Sequence, residues 1–159
     1  QRRGRIMRGS KLPRPMRALA FALLLVGTSL TGTGETLERA IQALIQVESN
    51  GRSSEIGDAG KAYGILQIHN VMIQDYNRIA KADLVHSDAF SPVVSYIVCR
   101  TVLRHYLQDI KSPTLKHIAF IWNGGGGARH RVEQPRNDSK QSNLNAYYKK
   151  VRQAYNQAQ

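Results

Sequence analysis

Apolar side chains recur at helical spacing in four separate segments, and this limits the possible folds more than any other feature of the chain. Leu37, Ile41, Leu44 and Ile45 fall at i, i+4, i+7 and i+8, which puts them on one face of a helix. The same period returns through Val94, Ile97, Val98, Thr101, Val102 and Tyr106, to about Lys111. It returns again through Leu115, Ile118, Ala119 and Trp122, and through Leu144, Tyr147, Tyr148, Val151 and Tyr155, to about Gln157. Boundary signals agree with these stripes. Thr36 is placed to cap the first helix and Asn50-Gly51 to end it, Ser91-Pro92 and Ser112-Pro113 supply start signals for the next two, and the glycines from 124 stop the third. Residues Asn70 to Ala80 read as a shorter helix with Met72, Tyr76 and Ala80 on one side. Only "AYGILQI", residues 62 to 68, breaks the helical rule, as a short β segment or irregular backbone. Residues 124–143, polar and glycine-rich, are expected to form a mobile loop, since 20 residues exceed the usual connection. The fold class expected is mainly α, a single compact helical domain with little or no β-sheet. At 159 residues the chain can bury one core without metal or disulfide staples.

Charge is unevenly distributed. Arg2, Arg3, Arg5, Arg8, Lys11, Arg14 and Arg17 precede any acidic residue, and setting these seven aside leaves +5 of the formal +12 on the rest. A basic lead followed by an apolar run from Ala18 to Val26 and then small residues has the layout of a signal peptide, and the run is short for a membrane span. Residues 1–34 are therefore expected to be a signal peptide or N-terminal leader, and residues 35–159 the folded domain. A protein exported in this way, with no stable membrane span once the leader is removed, is the expectation. The mildly basic remainder suits an anionic polymer such as cell wall, and argues against a nucleic-acid binder, whose charge must lie on the folded body.

Cys99 is the single cysteine and sits in the apolar run "SYIVCRTVL", so it reads as a small core residue with no disulfide partner. His69, His86, His105, His117 and His130 have no ligand spacing, and the glycine run lacks the Lys-Ser/Thr of a phosphate loop. No metal and no cofactor are expected. Arg129, His130, Arg131 and Arg136 make a basic loop able to attract carboxylates electrostatically.

Glu48 is the residue the stripe does not explain. It follows Leu44 by four positions and Ile45 by three, where a core side chain is due. A carboxyl there meets partial burial and the negative end of the helix dipole, and both oppose ionisation. A general acid working near neutrality needs a carboxyl raised from about 4.3 toward roughly 6 to 7.

Four segments in order resemble a known family. Glu48-Ser49, Gly64-Ile65-Leu66-Gln67, Ile121-Trp122-Asn123-Gly124-Gly125 and Tyr147 with Val151 are similar to the ordered motifs of the soluble lytic transglycosylases and goose-type lysozymes, over about Leu37 to Val151. The resemblance implies an α+β lysozyme-like domain that cleaves the β-1,4 bond between N-acetylmuramic acid and N-acetylglucosamine. It makes Glu48 the single catalytic acid and base. It implies that Ser49, Gln67 and Asn123 line the groove and bind the N-acetylated sugar, that Tyr147 holds Glu48 or the substrate, that Gly64 lets backbone approach the glycan, and that Tyr63 stands at the groove wall. Asp58, also counted as substrate-binding, matches an Asp of the goose-type segment, whereas His69 stands where that segment has a second Asp. This departure favours attack by the muramic acid 6-hydroxyl, giving a 1,6-anhydro end, over attack by water. Trp122 replaces a usual Tyr and can stack on a sugar or pack in the core. Peptidoglycan glycan strands are the implied partner, acted on by a monomer. A goose-type hydrolase and a non-catalytic peptidoglycan-binding protein are the alternatives.

Overall fold

The computed structural model describes residues 33–157, with side chains from Thr36 onward; the expected leader lies outside the described residues. Five α-helices carry the architecture: α1 (Thr33–Glu48), α2 (Asn70–Ala80), α3 (Pro92–Leu107), α4 (Leu115–Gly124) and α5 (Ser139–Gln157). Between α1 and α2 lies a small antiparallel sheet, β1 (Ile56–Gly57), β2 (Ala62–Tyr63) and β3 (Ile68–His69), in the order β1-β2-β3. Its register pairs Ile56 with Tyr63 and Gly57 with Ala62, then Ala62 with His69 and Tyr63 with Ile68. The molecule is thus mainly α with one small three-stranded sheet. Among the described residues no helix is long and apolar enough to cross a membrane.

The stripe of α1 packs as its period requires, with Leu37, Ala40, Ile41, Ala43 and Leu44 buried. Its N-terminus differs from expectation: the helix runs from Thr33, so Thr36 lies inside it rather than capping it. Its C-terminus is closed by left-handed backbone at Asn50 (φ 54°) and Gly51 (φ 80°), the usual way to end a helix. Arg39 joins α1 to α5, donating to the Tyr155 carbonyl at 3.1 and 2.9 Å with its guanidinium 4.3 Å from the Tyr155 ring centre.

Helix α4 is buried on every side, from His117 through Trp122. The expected inward stripe of Leu115, Ile118, Ala119 and Trp122 covers only part of this, because α4 is packed against α5 and against the turn that follows it. Its cap is Thr114, whose hydroxyl accepts from the His117 N–H, and not Ser112. Helix α3 begins as expected, with the Ser91 side chain accepting from the Val94 N–H and Pro92 in the first turn. Cys99 is fully buried on α3, and burial pushes its thiol well above the ordinary range, so it carries no thiolate. In α2 Met72 and Tyr76 pack against the core as expected, together with Ile79 and the fully buried Ile73, while Ala80 faces solvent.

The expected mobile loop at 124–143 is shorter and better held. Residues 126–131 form a 3-10 turn, and α5 starts five residues before Leu144, at Ser139. Asp138 caps α5 by accepting from the Gln141 N–H at 2.7 Å and binds Arg131 at 2.8 and 3.0 Å. From the far side, Glu133 reaches the buried His117 ring at 3.0 Å.

Candidate functional site

A cleft of about 530 Å³ opens between the helical body and the sheet. Glu48, Trp122 and Asn123 line it from the ends of α1 and α4; Asp58, Gln67 and His69 line it from the sheet. Residues 48–72 and 122–125, far apart in the chain, therefore face a single space.

Glu48 is half-buried, and its carboxyl is raised above the ordinary range. Burial is the main cause; the Tyr147 hydroxyl, the Trp122 indole and the charge of Lys150 pull the other way without cancelling it. The Tyr147 hydroxyl donates to Glu48 Oε1 at 2.5 Å from α5. Tyr147 keeps its proton and so can donate there, because burial and the adjacent Glu48 push its phenol well above its ordinary range. With Oε1 accepting that bond, a proton on Glu48 is left to Oε2.

Of the eight site residues expected from sequence, Glu48, Asp58, Gln67 and Asn123 share the cleft, and Tyr147 reaches Glu48 from behind. The other three sit in the supporting layer. Ser49 is 3% exposed and its hydroxyl donates to the Ile65 carbonyl at 2.8 Å, tying the end of α1 to the β2–β3 turn. Tyr63 is stacked between His86 and Phe90, at centroid distances of 3.9 and 4.7 Å. Gly64 has φ 73°, and a Cβ there would meet the Ala89 carbonyl oxygen at 2.0 Å, so its missing side chain is required by the protein's own packing behind the cleft.

The sheet holds unusual backbone. Asp58 (φ 47°), Ala59 (φ 52°) and Gln67 (φ 47°) are all left-handed without being glycine, each at a cost of about 1 to 3 kcal/mol. Such geometry persists only where its surroundings impose it. Here the Gln67 amide donates to the Gly64 carbonyl at 3.0 Å and to the Glu55 carbonyl at 3.3 Å. A Cβ at Gly57 would come within 2.1 Å of Gln67 Oε1, so that side chain lies flat against β1. Behind the sheet, the His86 Nε2–H donates to the Ile68 carbonyl at 2.7 Å and the Ser95 hydroxyl to the Ala89 carbonyl at 2.6 Å. The segment 86–90 thus clamps β2 and β3 from the side away from the cleft.

Sequence reasoning left out Val71 and Met72, which line the cleft from the first turn of α2; their position follows from β3 running straight into α2. It left out Lys150 too, three positions from Tyr147 and so on a neighbouring part of the same helix face. Trp122 packs in the core at 8% exposure, and it also lines the cleft. Among the described residues no three His, Cys, Asp or Glu side chains converge as a metal site would need.

The family model described as Transglycosylase SLT domain matches residues 30–145. A search of curated proteins finds no match to the chain.

Proposed function

This chain belongs to the transglycosylase SLT domain family, a family of lytic-transglycosylase type that acts on peptidoglycan, and from that premise we propose that it cleaves the β-1,4 bond between N-acetylmuramic acid and N-acetylglucosamine with Glu48 as its single acid and base. The observation that carries this reading is the raised carboxyl of Glu48 at the floor of the cleft, held by Tyr147 through one oxygen only.

In the first step Glu48 Oε2 gives its proton to the glycosidic oxygen as the bond to C1 breaks, leaving an oxocarbenium-like centre. Burial raises the hold of the carboxyl on that proton, and the Tyr147 hydroxyl fixes the plane of the carboxyl through Oε1. The new carboxylate then accepts the proton of the muramic acid 6-hydroxyl as its oxygen bonds to C1, which closes a 1,6-anhydro ring and restores Glu48. Asn123 supplies an amide for an N-acetyl group, Gln67, whose NH2 is held by the Gly64 and Glu55 carbonyls, offers at most its Oε1 as an acceptor, and the open cleft suits a linear glycan strand rather than an enclosed small molecule. A substrate of this kind implies an exported protein, in keeping with a leader in residues 1–34, and acting as a monomer it needs no partner chain to complete the cleft.

Glu48→Gln keeps the size and the Tyr147 hydrogen bond but removes the proton. It is expected to lower the release of soluble sugars from purified peptidoglycan by at least about 100-fold, with an unchanged circular dichroism spectrum. Turnover near the wild-type rate in that variant excludes the assignment. Binding of glycan by the wild type without any release points instead to a non-catalytic peptidoglycan-binding protein.

A further inference from the structure

We infer that Tyr106, in the last turn of α3, is a positioning residue that ties α2 to the glycine turn after α4 and so sets the width of the cleft, and with it the affinity for glycan. The inference rests on the reading given above that the cleft takes a glycan strand. Val71 and Met72 line the cleft from α2, and Gly124 and Gly125 line it from the end of α4. Asp75 follows Val71 by four positions and Met72 by three, so it stands one turn further along the face of α2 that they occupy. Gly126 is the residue after Gly125. Tyr106 touches both of these continuations. Its hydroxyl donates to Asp75 Oδ2 at 2.7 Å, and its ring packs so closely on Gly126 that a Cβ there would lie 2.2 Å from Cε1 and 2.4 Å from Cζ.

Each end of this bridge is itself held. Asp75 keeps its other oxygen, Oδ1, on Arg78 at 3.0 Å, which orients the carboxylate and leaves Oδ2 to the phenol. Burial and the bond to Asp75 raise the Tyr106 phenol above its ordinary range, so it retains the proton that it donates. On the glycine side, the Arg129 guanidinium lies 5.6 Å from the Tyr106 ring centre and its Nη1 donates to the Gly126 carbonyl at 2.6 Å. Gly126 is not among the glycines with positive φ, so its backbone does not call for glycine. What excludes a side chain there is the Tyr106 ring. Gly125 is the opposite case, with φ 79° and open space where a Cβ would stand.

Glu48 and Tyr147 belong to α1 and α5, neither of which carries a member of this bridge. Loosening it therefore changes how closely α2 and the glycine turn approach a strand lying between them, and leaves the proton donor alone. Contacts made equally to the bound substrate and to the transition state act on KM and not on kcat. A residue that only supported the fold would have no reason to separate the two.

The test is steady-state cleavage of soluble peptidoglycan strands freed of their peptides, with kcat and KM separated and thermal unfolding followed alongside. Tyr106→Phe removes the hydroxyl and keeps the ring; it is expected to raise KM by at least about threefold while kcat stays within about twofold of wild type. Gly126→Ala drives the ring away from the turn and is expected to raise KM by at least about tenfold, again with kcat little changed. Should that variant fail to fold, Tyr106→Phe decides alone. An unchanged KM in Tyr106→Phe overturns the inference, as does a loss of kcat beyond about twofold, and either result leaves the role of Glu48 standing. Wild type that neither binds nor cleaves these strands overturns the inference together with the reading on which it rests.

Discussion

On the helical side of the cleft, Glu48 and Trp122 are carried by α1 and α4, whose inward residues are almost wholly buried and whose backbone is regular helix. On the sheet side, Asp58, Gln67 and His69 are carried by strands of two residues each and by turns with three left-handed non-glycine residues. The first wall changes the chemistry of one carboxyl by taking it out of water. The second leaves its polar groups in water and controls where they point. On the proposed reading, the proton donor sits in the part of the molecule that resists deformation, and the contacts to substrate in a part held from behind by hydrogen bonds and ring stacking.

Substitutions on the two walls should therefore fail in different ways. The largest effect is expected in the helical body: Phe120, fully buried on α4 against Ala128 and Leu144, should cost about 3 to 5 kcal/mol when replaced by Ala, measured by urea unfolding. A cost below about 1 kcal/mol would mean that the body is no more tightly packed than the sheet. Gly64→Ala comes next, because its Cβ meets the Ala89 backbone and its φ is positive; a loss of about 2 to 4 kcal/mol is expected, along with weaker glycan binding, as the sheet is pushed off its clamp. A small loss here would show that the 86–90 segment yields easily.

Glu48→Gln should act in the opposite direction on stability. Because burial raises the folded-state carboxyl above its ordinary 4.5, the favourable contribution of the protonated form is complete below about that pH and is lost as pH rises through the folded value. Above the folded value the ionised Glu48 is therefore a burden that Gln lacks, and there the variant should be more stable than wild type. The difference should shrink as the pH is lowered toward 4.5, and thermal unfolding at several pH values reads it directly. The smallest effect is expected at Ala59→Gly, where relief of the left-handed strain at φ 52° should stabilise the fold by about 0.5 to 1 kcal/mol. If the sheet gains stability while cleavage slows, the strained turn is shown to serve substrate rather than folding.

The same contrast explains what could be read from the sequence. Helical periodicity placed α1, α3, α4 and α5, and the interrupted stripe at Glu48 pointed to a carboxyl that the fold half-buries and raises. The start of α5 escaped because its first residues, Ser139 to Asn143, face outward or bond to polar groups, so that the apolar period begins only at Leu144 although Asp138 already caps the helix. The full burial of α4 escaped because a stripe reports one neighbour and α4 has several. On the sheet wall almost nothing was legible in detail. "AYGILQI" folds as a tiny hairpin whose left-handed Gln67 follows from contacts with Glu55 and Gly64, not from its own preference. Tyr63 and Gly64 are placed by residues 86–90, whose sequence carries no helical or strand period, and no local rule links the two segments.

The bond between Tyr147 and Glu48 spans 99 positions of the chain. During synthesis, or threading through a membrane, the first helix emerges long before the last. Until α5 docks, the carboxyl of Glu48 lacks the Tyr147 hydroxyl. With Glu48 as the proposed acid, competence to cut is thus postponed to the final stage of folding, and a copy truncated before α5 is expected to be inactive.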